Sequence, residues 1–123
     1  MIIGIGTDVV ELARIDALTE KQASFKTRIL TKKEASDCYT PHKNVARIAG
    51  RFAVKEAVSK ALSTGIGQIG WQDIETINGE SGAPEVVLYG AAKSLAEARR
   101  VQRIHCSISH EKSVAVAMII LEG

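Results

Sequence analysis

The sequence predicts an α+β fold, a single small domain with a largely antiparallel sheet and packed helices. Short apolar segments with strand-like alternation lie near both ends of the chain, and the longest helical pattern lies between them. Two pairs of apolar segments are also joined by short, turn-rich connections. At 123 residues, 46% of them hydrophobic, the chain fits one domain over residues 1–123. Because aromatic residues make up only 4%, we expect a small aliphatic core and added stability from contacts between copies of the chain.

The first strand is predicted over residues 1–8, where isoleucines alternate with glycines before a polar pair that ends in Asp8. A short helix is predicted over residues 9–18. A second helix is predicted to open at Thr31, because Thr31 and Glu34 have the spacing of a capping box. Pro41 then separates this helix from the next one.

Residues 42–62 form the longest helical pattern, and two glycines, Gly65 and Gly67, are its predicted stop signal. At about 100° per residue, one side of this helix is polar and consists of Asn44, Arg47, Arg51, Lys55 and Ser59. Glu56 and Lys60 fall instead on the continuation of the apolar side. The pattern therefore predicts that this glutamate and this lysine lie toward the interior.

The second half of the chain is predicted to contain two hairpins with a helix between them. Strands are expected over residues 71–77 and 85–89, joined by a turn rich in glycine, asparagine and proline. A helix is expected over residues 91–101. Strands then follow over residues 103–109 and 113–121, and the last of these is so apolar that we expect it to be central or covered.

Charge is unevenly distributed along the chain. The whole protein carries a formal net charge of +2, but residues 21–60 contain ten Lys or Arg and only three acidic residues, a net charge of +7. A basic surface favours an anionic partner. Charge alone is compatible with a nucleic acid, a phosphate ester or an acidic protein. The alternative is an ordinary solvated helical face.

The N-terminal residues, the apolar segments and the two cysteines bear on the cellular location of the protein. The first eight residues lack the basic start and long apolar run of a secretory signal, and no stretch approaches the roughly 20 apolar residues that span a bilayer. Cys38 and Cys106 belong to no CxxC pair or zinc-binding cluster. We therefore expect a cytoplasmic protein with two free thiols and no membrane association.

Asp8 and Glu56 are candidate metal ligands. A carboxylate on the apolar side of a helix is costly unless it is neutralised, paired or bound to a cation. Two carboxylates completed by phosphate oxygens and water are the usual environment of Mg²⁺. The alternative is that Glu56 simply pairs with Lys60 one turn later.

A second candidate site is cationic. Several cations suit a polyanionic phosphate ligand, since arginine can grip a phosphate with two parallel hydrogen bonds. The candidates are Lys43, Arg47, Arg51 and Lys60, with His110 in the final turn. A solvated stripe is an equally good interpretation of Arg47 and Lys55, and His110 alone is typical of an ordinary surface turn. No P-loop, GxGxxG, GxSxG or HExxH motif is present, which argues against the commonest nucleotide hydrolases, dinucleotide oxidoreductases and hydrolases.

Six segments together resemble the holo-acyl-carrier-protein synthases, the short trimeric type of the 4′-phosphopantetheinyl transferase superfamily. They are GIGTDVVEL at 4–12, FKTRILTKKE at 25–34, RFAVKEAVSKAL at 51–62, TGIG at 64–67, NGESGAP at 78–84 and SISHEKSVAVAMIILE at 107–122. Each segment alone is a weak signal. The combination covers nearly the whole chain and is specific.

The resemblance implies a small α+β subunit that forms a homotrimer with active sites between neighbouring subunits. It implies transfer of the 4′-phosphopantetheine group of coenzyme A to a serine of an acidic acyl carrier protein, in support of fatty acid biosynthesis. The implied catalytic residues are Asp8, Glu56 and Lys60, of which the two carboxylates hold Mg²⁺. The implied coenzyme A contacts are Lys43, Arg47, Arg51, Lys60, Gly65, Pro84 and, from the next subunit, His110.

Three further expectations follow from the resemblance. Glu56, directly or through a water, is the candidate base, with a water ordered by Asp8 or bulk solvent as alternatives. The basic residues expected to dock the carrier are Arg14, Lys21, Lys26 and Arg28. Many relatives have an aromatic residue where this chain has Val114, which affects the expected packing near the nucleotide and not the reaction class.

Competing interpretations differ in what they require of the residues. A non-catalytic coenzyme A-binding protein would not need Asp8, Glu56 and Lys60 together. A nucleic-acid-binding module would need stacking aromatics or a groove-binding motif, and neither is present, so we expect no nucleic-acid partner. The longer two-repeat transferases that act as monomers have about twice this length.

Overall fold

The last strand of the chain lies at the centre of the larger sheet, as predicted. In the computed structural model, which describes residues 1–123, this antiparallel sheet has the order β1 (Ile2–Glu11), β5 (Val114–Glu122) and β4 (Arg103–His110). A separate antiparallel hairpin consists of β2 (Ile74–Asn78) and β3 (Pro84–Leu88). The predicted α+β class with antiparallel pairing is therefore confirmed. The strand expected from residue 71 begins only at Ile74, because Trp71–Asp73 form a 3₁₀ turn.

The first strand is longer than predicted. Val9 and Val10 pair with Val116 and Ala115 of β5, so the ladder continues to Glu11, and β-branched residues favour this extended conformation. Helix α1 consequently spans Leu12–Lys21, and the prediction of a helix from residue 9 was wrong. Asp8 therefore lies inside a strand, opposite Ala117, and does not close it.

Two short helices precede the central one. Helix α2 (Phe25–Ile29) was not predicted, whereas α3 (Lys32–Tyr39) starts at the predicted capping box. Thr31 Oγ1 accepts a hydrogen bond from the Glu34 backbone N–H at 3.2 Å, and Glu34 Oε1 accepts one from the Thr31 N–H at 3.0 Å. The local sequence alone thus determines where α3 begins.

Helix α4 spans Val45–Ala61 within the predicted range, and α5 spans Gly90–Ala98. Asn44 caps α4, since its Oδ1 accepts a hydrogen bond from the Arg47 N–H at 3.0 Å. The chain leaves α4 through Ser63, which has a left-handed φ of 57°. The predicted glycine stop at residue 65 was therefore wrong, because a serine two positions earlier takes the left-handed conformation.

Helix α4 lies at the centre of one continuous core of 23 buried apolar side chains, and β1 packs against it. A Cβ on Gly6 would lie 1.9 Å from the carbonyl oxygen of Ala57, and one on Gly4 would lie 2.1 Å from that of Ala61. Any larger residue at these two positions would push strand and helix apart. The glycines of β1 therefore set the close approach that brings Asp8 to α4.

Three residues of the polar side of α4 are buried, contrary to the solvated alternative for Lys55, whereas Arg47 is exposed as that alternative expects. Lys55 is 0% exposed, and Arg51 and Ser59 are also buried, while Glu56 is half-buried and Lys60 is exposed. The prediction that Glu56 and Lys60 lie toward the interior was therefore wrong in degree. Lys55 is buried because α3 and β2 cover this side of α4 and supply partners for its charge.

The partners of Lys55 form a closed polar network. Its Nζ lies 2.7 Å from Glu34 Oε1 and donates to the carbonyl oxygens of Trp71, at 3.0 Å, and Ile74. Glu34 Oε2 in turn accepts a hydrogen bond from the Thr76 N–H at 2.9 Å. Burial lowers the pKa of Lys55, and the charge of Glu34 partly offsets this effect.

Both cysteines are free, as expected, and burial raises the pKa of each thiol to about 11. None of the helices has the length and apolar character needed to cross a bilayer.

Candidate active site

Two of the predicted site residues, Asp8 and Lys60, form an ion pair between β1 and α4. Lys60 Nζ donates to Asp8 Oδ1 at 3.2 Å and to the main-chain carbonyl of Thr7 at 2.9 Å. The Lys60 side chain is 54% exposed and that of Asp8 16%. The pair therefore lies at an open edge of the molecule, where a ligand can reach it.

Glu56, one turn before Lys60 on α4, completes this cluster without an ion-pair partner of its own. Burial and then the charge of Asp8 raise the pKa of Glu56, whereas the charges of Lys60 and Arg14 act in the opposite direction. The alternative that Glu56 simply pairs with Lys60 is not what the structure shows, because Lys60 contacts Asp8. We call Asp8, Glu56 and Lys60 the carboxylate cluster.

Arg14 of α1 also belongs to this region, although its sequence position suggested only carrier docking. Its guanidinium lies 5.9 Å from the ring centroid of Phe52 on α4, and its charge acts on Glu56. No sequence signal placed Arg14 here, because the contact depends on how α1 crosses α4.

The donor set of the carboxylate cluster is small. No group of three or more His, Cys, Asp or Glu side chains is arranged to hold a metal ion. Two carboxylates close enough for one to affect the pKa of the other suit a hard cation that takes its remaining ligands from water and phosphate oxygens. The chemistry of these residues thus fits Mg²⁺ bound together with a phosphate substrate.

Four predicted nucleotide-binding residues line one cavity of about 410 Å³ near the N-terminal half of α4, which we call the cationic cavity. They are Arg47, Arg51, Pro84 and His110, and all come from the same chain. Asn78 lines the same cavity and was not singled out from the sequence, although it belongs to the conspicuous 78–84 turn. The turn of β2–β3 and the end of β4 thus meet α4 at this cavity.

Lys43 and Gly65 do not line the cationic cavity. Lys43 Nζ donates to Asp16 Oδ1 and Glu20 Oε1 of α1, both at 2.8 Å, and these bonds raise its pKa. Lys43 lines a neighbouring cavity together with Arg47. Gly65 lies in the loop after α4, where an added Cβ would meet nothing within 4 Å.

The predicted docking residues are all exposed and lie on α1 and α2. They are Arg14, Lys21, Lys26 and Arg28. Lys26 Nζ lies 4.5 Å from the ring centroid of Tyr39, which holds this cation against α3. Of these four cations, Arg14 is the one whose charge acts on Glu56 of the carboxylate cluster.

The chain is similar to the members of a transferase family. Residues 4–118 match the family model described as the 4′-phosphopantetheinyl transferase superfamily. A holo-[acyl-carrier-protein] synthase of Natranaerobius thermophilus is 44% identical over 98% of each chain. The chain therefore belongs to the 4′-phosphopantetheinyl transferase superfamily, and more particularly to its holo-acyl-carrier-protein synthases.

Solved structures agree with this assignment. The holo-[acyl-carrier-protein] synthase of Neisseria meningitidis has a TM-score of 0.91 and 37% identity, with all of both chains covered. The enzyme of Bacillus anthracis, solved in complex with CoA (3′,5′-ADP), has a TM-score of 0.82 and 39% identity, over 100% of this chain and 98% of the other. The α+β fold is thus that of known holo-acyl-carrier-protein synthases.

Proposed function

We propose that this protein transfers the 4′-phosphopantetheine group of coenzyme A to a serine of apo acyl carrier protein. The products are holo acyl carrier protein and adenosine 3′,5′-bisphosphate. One observation carries the proposal: α4 presents Glu56 and Lys60 to Asp8 while its N-terminal half lines the cationic cavity. Roughly 13 Å of helix axis separates Arg51 from Lys60, and at about 100° per residue the two lie on opposite faces of α4. We therefore propose that one coenzyme A uses both regions only where two subunits meet, as the family resemblance implies.

The proposed reaction is a displacement at phosphorus. The serine oxygen of the carrier attacks the phosphorus atom that bears the pantetheine arm, and the pyrophosphate P–O bond breaks. Adenosine 3′,5′-bisphosphate leaves with the electron pair of that bond, and the hydroxyl proton passes to a base. Such reactions are accelerated mainly by positioning and by neutralising the charge that develops on the phosphates.

The chain supplies a residue for each of these tasks. Lys60, with an exposed ammonium beside Asp8, can neutralise a phosphate oxygen. Glu56 is the proposed base, directly or through a water, because it is the carboxylate of the cluster that lacks an ion-pair partner. Asp8 holds Lys60 in place and faces the same ligand.

We also propose that the enzyme depends on Mg²⁺ held by Asp8 and Glu56. When bound, this ion would neutralise the coenzyme A pyrophosphate. The support comes from the paired carboxylates, which repel one another without a cation between them.

The cationic cavity is the proposed site for the adenosine bisphosphate end of coenzyme A. Arg47 and Arg51 would bind phosphate, and Pro84 and His110 border the same space. Lys43 and Gly65 lie outside this cavity in a single chain, so their proposed contacts require a nucleotide that extends beyond it. That His110 reaches the nucleotide of the next subunit stays a prediction from the family resemblance.

The acidic carrier is proposed to dock on the exposed cations of α1 and α2. Reversing Lys21 and Arg28 to Glu should raise KM for the carrier far more than KM for coenzyme A, because both residues are exposed. Lys93→Glu on α5 is a matched charge reversal and should change neither. Equal effects on both substrates would contradict this docking surface.

A homotrimer is proposed on the basis of an uncovered apolar face of the larger sheet. Ile5 and Val9 of β1 are 56% and 62% exposed, and Met118 of β5 lies between their rows and is 44% exposed. Exposed apolar patches of this kind mark interaction surfaces. The number three comes from the family resemblance. Light scattering should give three times the 13.2 kDa chain mass, and Val9→Lys should reduce it.

Three further expectations about the whole protein are also proposals. They are that residues 1–123 form one transferase domain, that the reaction serves fatty acid biosynthesis, and that the protein acts in the cytoplasm. The continuous core of 23 apolar side chains supports the first.

The decisive experiment is the intact mass of an apo acyl carrier protein after incubation with the protein, coenzyme A and Mg²⁺. We expect a gain of roughly 340 Da, the mass of one phosphopantetheine arm. Asp8→Ala and Glu56→Ala should abolish the gain while the fold is retained. Glu11→Gln, which changes an exposed carboxylate on the same strand, is the matched control.

No mass gain with several carriers, together with intact coenzyme A binding, would favour the non-catalytic binding protein. A gain that persists without Mg²⁺ and in both alanine variants would contradict the proposed roles of Asp8 and Glu56, but not the reaction.

A further inference from the structure

One acidic side chain contacts both arginines of the cationic cavity. Asp37 of α3 accepts a hydrogen bond from Arg51 Nη2 through Oδ2 and one from Arg47 Nη1 through Oδ1, the latter at 3.3 Å. Arg47 Nη1 also donates to the main-chain carbonyl of Asp37 at 3.2 Å. Asp37 is therefore the common partner of two cations on successive turns of α4.

The two arginines need this partner to different degrees. The side chain of Arg51 is 7% exposed and that of Arg47 48%, while Asp37 is 34% exposed. A guanidinium as deeply buried as Arg51 is costly without a counter-charge, and Asp37 is its only ion-pair partner. Arg47 could reach solvent in many rotamers, and the contact with Asp37 selects one of them.

Arg51 also keeps a donor that no protein group uses. Its Nε is buried and makes no hydrogen bond, although Arg51 lines the cationic cavity. Asp37 thus binds the guanidinium through Nη2 and leaves its Nε without a protein partner. Buried donors are nearly always paired in folded proteins, so the network around Arg51 is not closed by protein groups alone.

We propose that Asp37 is a positioning residue for coenzyme A, because it holds Arg51 and Arg47 in the orientation in which their remaining N–H groups meet phosphate. The inference rests on the proposed function and adds a residue to it. Asp37 itself carries a negative charge and does not line the cationic cavity, so its effect on coenzyme A would pass through the arginines. Its effect is to organise the cations before the substrate arrives, which reduces the entropy lost on binding.

Two substitutions separate positioning from charge. Asp37→Ala removes both side-chain hydrogen bonds, whereas Asp37→Asn removes the charge but keeps one oxygen acceptor, and so one of the two bonds. If Asp37 merely competed with phosphate for the arginines, both variants would bind coenzyme A more tightly. If it positions them, Asp37→Ala should bind more weakly and Asp37→Asn should lie between it and the wild type.

The experiment measures KM for coenzyme A and kcat at saturating carrier, with Kd for coenzyme A from calorimetry as a second readout. For Asp37→Ala we expect KM and Kd to rise roughly tenfold, as for the loss of one charge-assisted hydrogen bond, with kcat within about twofold of the wild type. Asp37→Asn should rise about threefold. Glu97→Gln, an exposed charge removal on α5, is the control and should change none of these values.

A double-mutant cycle tests whether Asp37 acts through the arginines. In an Arg47→Gln/Arg51→Gln background, Asp37→Ala should add no further change in Kd for coenzyme A, whereas a general effect on the fold would add to it. Circular dichroism verifies that each variant is folded, and Asp37→Asn keeps the test valid if Asp37→Ala does not fold.

The results distinguish a failure of the inference from a failure of the proposed function. Lower KM in either Asp37 variant, a loss in kcat without a change in KM, or additive effects in the cycle would each overturn the inference while the wild-type transfer stands. A wild-type protein that neither binds coenzyme A nor modifies a carrier would instead refute the proposed function, and the inference with it.

Discussion

Helix α4 carries two lysines, five residues apart, that each pair with a carboxylate from another element, yet the two pairs have opposite environments. Lys55 lies 2.7 Å from Glu34, and both side chains are 0% exposed. Lys60 lies 3.2 Å from Asp8, and these side chains are 54% and 16% exposed. The same chemical pairing therefore occurs once inside the protein and once at its edge.

The difference lies in how many polar atoms the protein itself satisfies. The ammonium of Lys55 has three protein acceptors, and both oxygens of Glu34 are bonded. In the carboxylate cluster, Glu56 has no ion-pair partner and Lys60 has room for a further acceptor. A closed pair ties elements together, whereas an open pair is available to a substrate.

The largest effect on stability is expected from breaking the closed pair of Lys55 and Glu34. Lys55→Met leaves the charge of Glu34 buried without a partner and should lower the free energy of unfolding by about 3–5 kcal/mol. Urea denaturation followed by circular dichroism measures this change. Adding Glu34→Gln should recover part of the loss, because the uncompensated charge is then removed. A loss below about 1 kcal/mol in the single variant would mean that the pair does not hold α4 to α3.

A smaller stability effect and a large functional one are expected from the open pair. Lys60→Ala should change the free energy of unfolding by at most about 1 kcal/mol, since the pair is exposed. The rate of phosphopantetheine transfer should fall about a hundredfold, as when a donor to developing charge is removed. Lys93→Ala on α5 should affect neither quantity. Unchanged transfer in Lys60→Ala would remove this lysine from the site.

The smallest effect on stability is expected from Glu56, and it has the opposite sign. Because the fold raises the pKa of Glu56 above its usual 4.5, its contribution to stability is present below that pH and is lost as the pH rises through the folded-state pKa. At pH 7 and without Mg²⁺, the charged Glu56 therefore opposes folding, mainly through burial and then through Asp8. Glu56→Gln should raise the thermal midpoint slightly while it abolishes transfer. A lower midpoint would show that the carboxylate stabilises the fold.

Several errors of the sequence-based predictions have one cause. Val9–Glu11 continue β1 because β5 offers them a ladder, although the same residues are compatible with a helix. Lys55 looked like part of a solvated stripe, and it is buried because Glu34 and two carbonyl groups surround it. A pattern along one element does not reveal what covers that element.

The sequence by itself determined the α+β class, the antiparallel pairing, the capping box of α3 and the approximate position of α4, and it nominated Asp8, Glu56 and Lys60 as candidate site residues. These follow from local periodicity, from capping chemistry and from motifs that span the chain. Only the tertiary structure decided that Lys55 is internal and Lys60 is open, that Arg14 acts on Glu56, and that Asp37 holds both arginines of the cationic cavity. The physical reason is that burial and pairing depend on neighbours far away in sequence, which come together only when the helices and sheets pack.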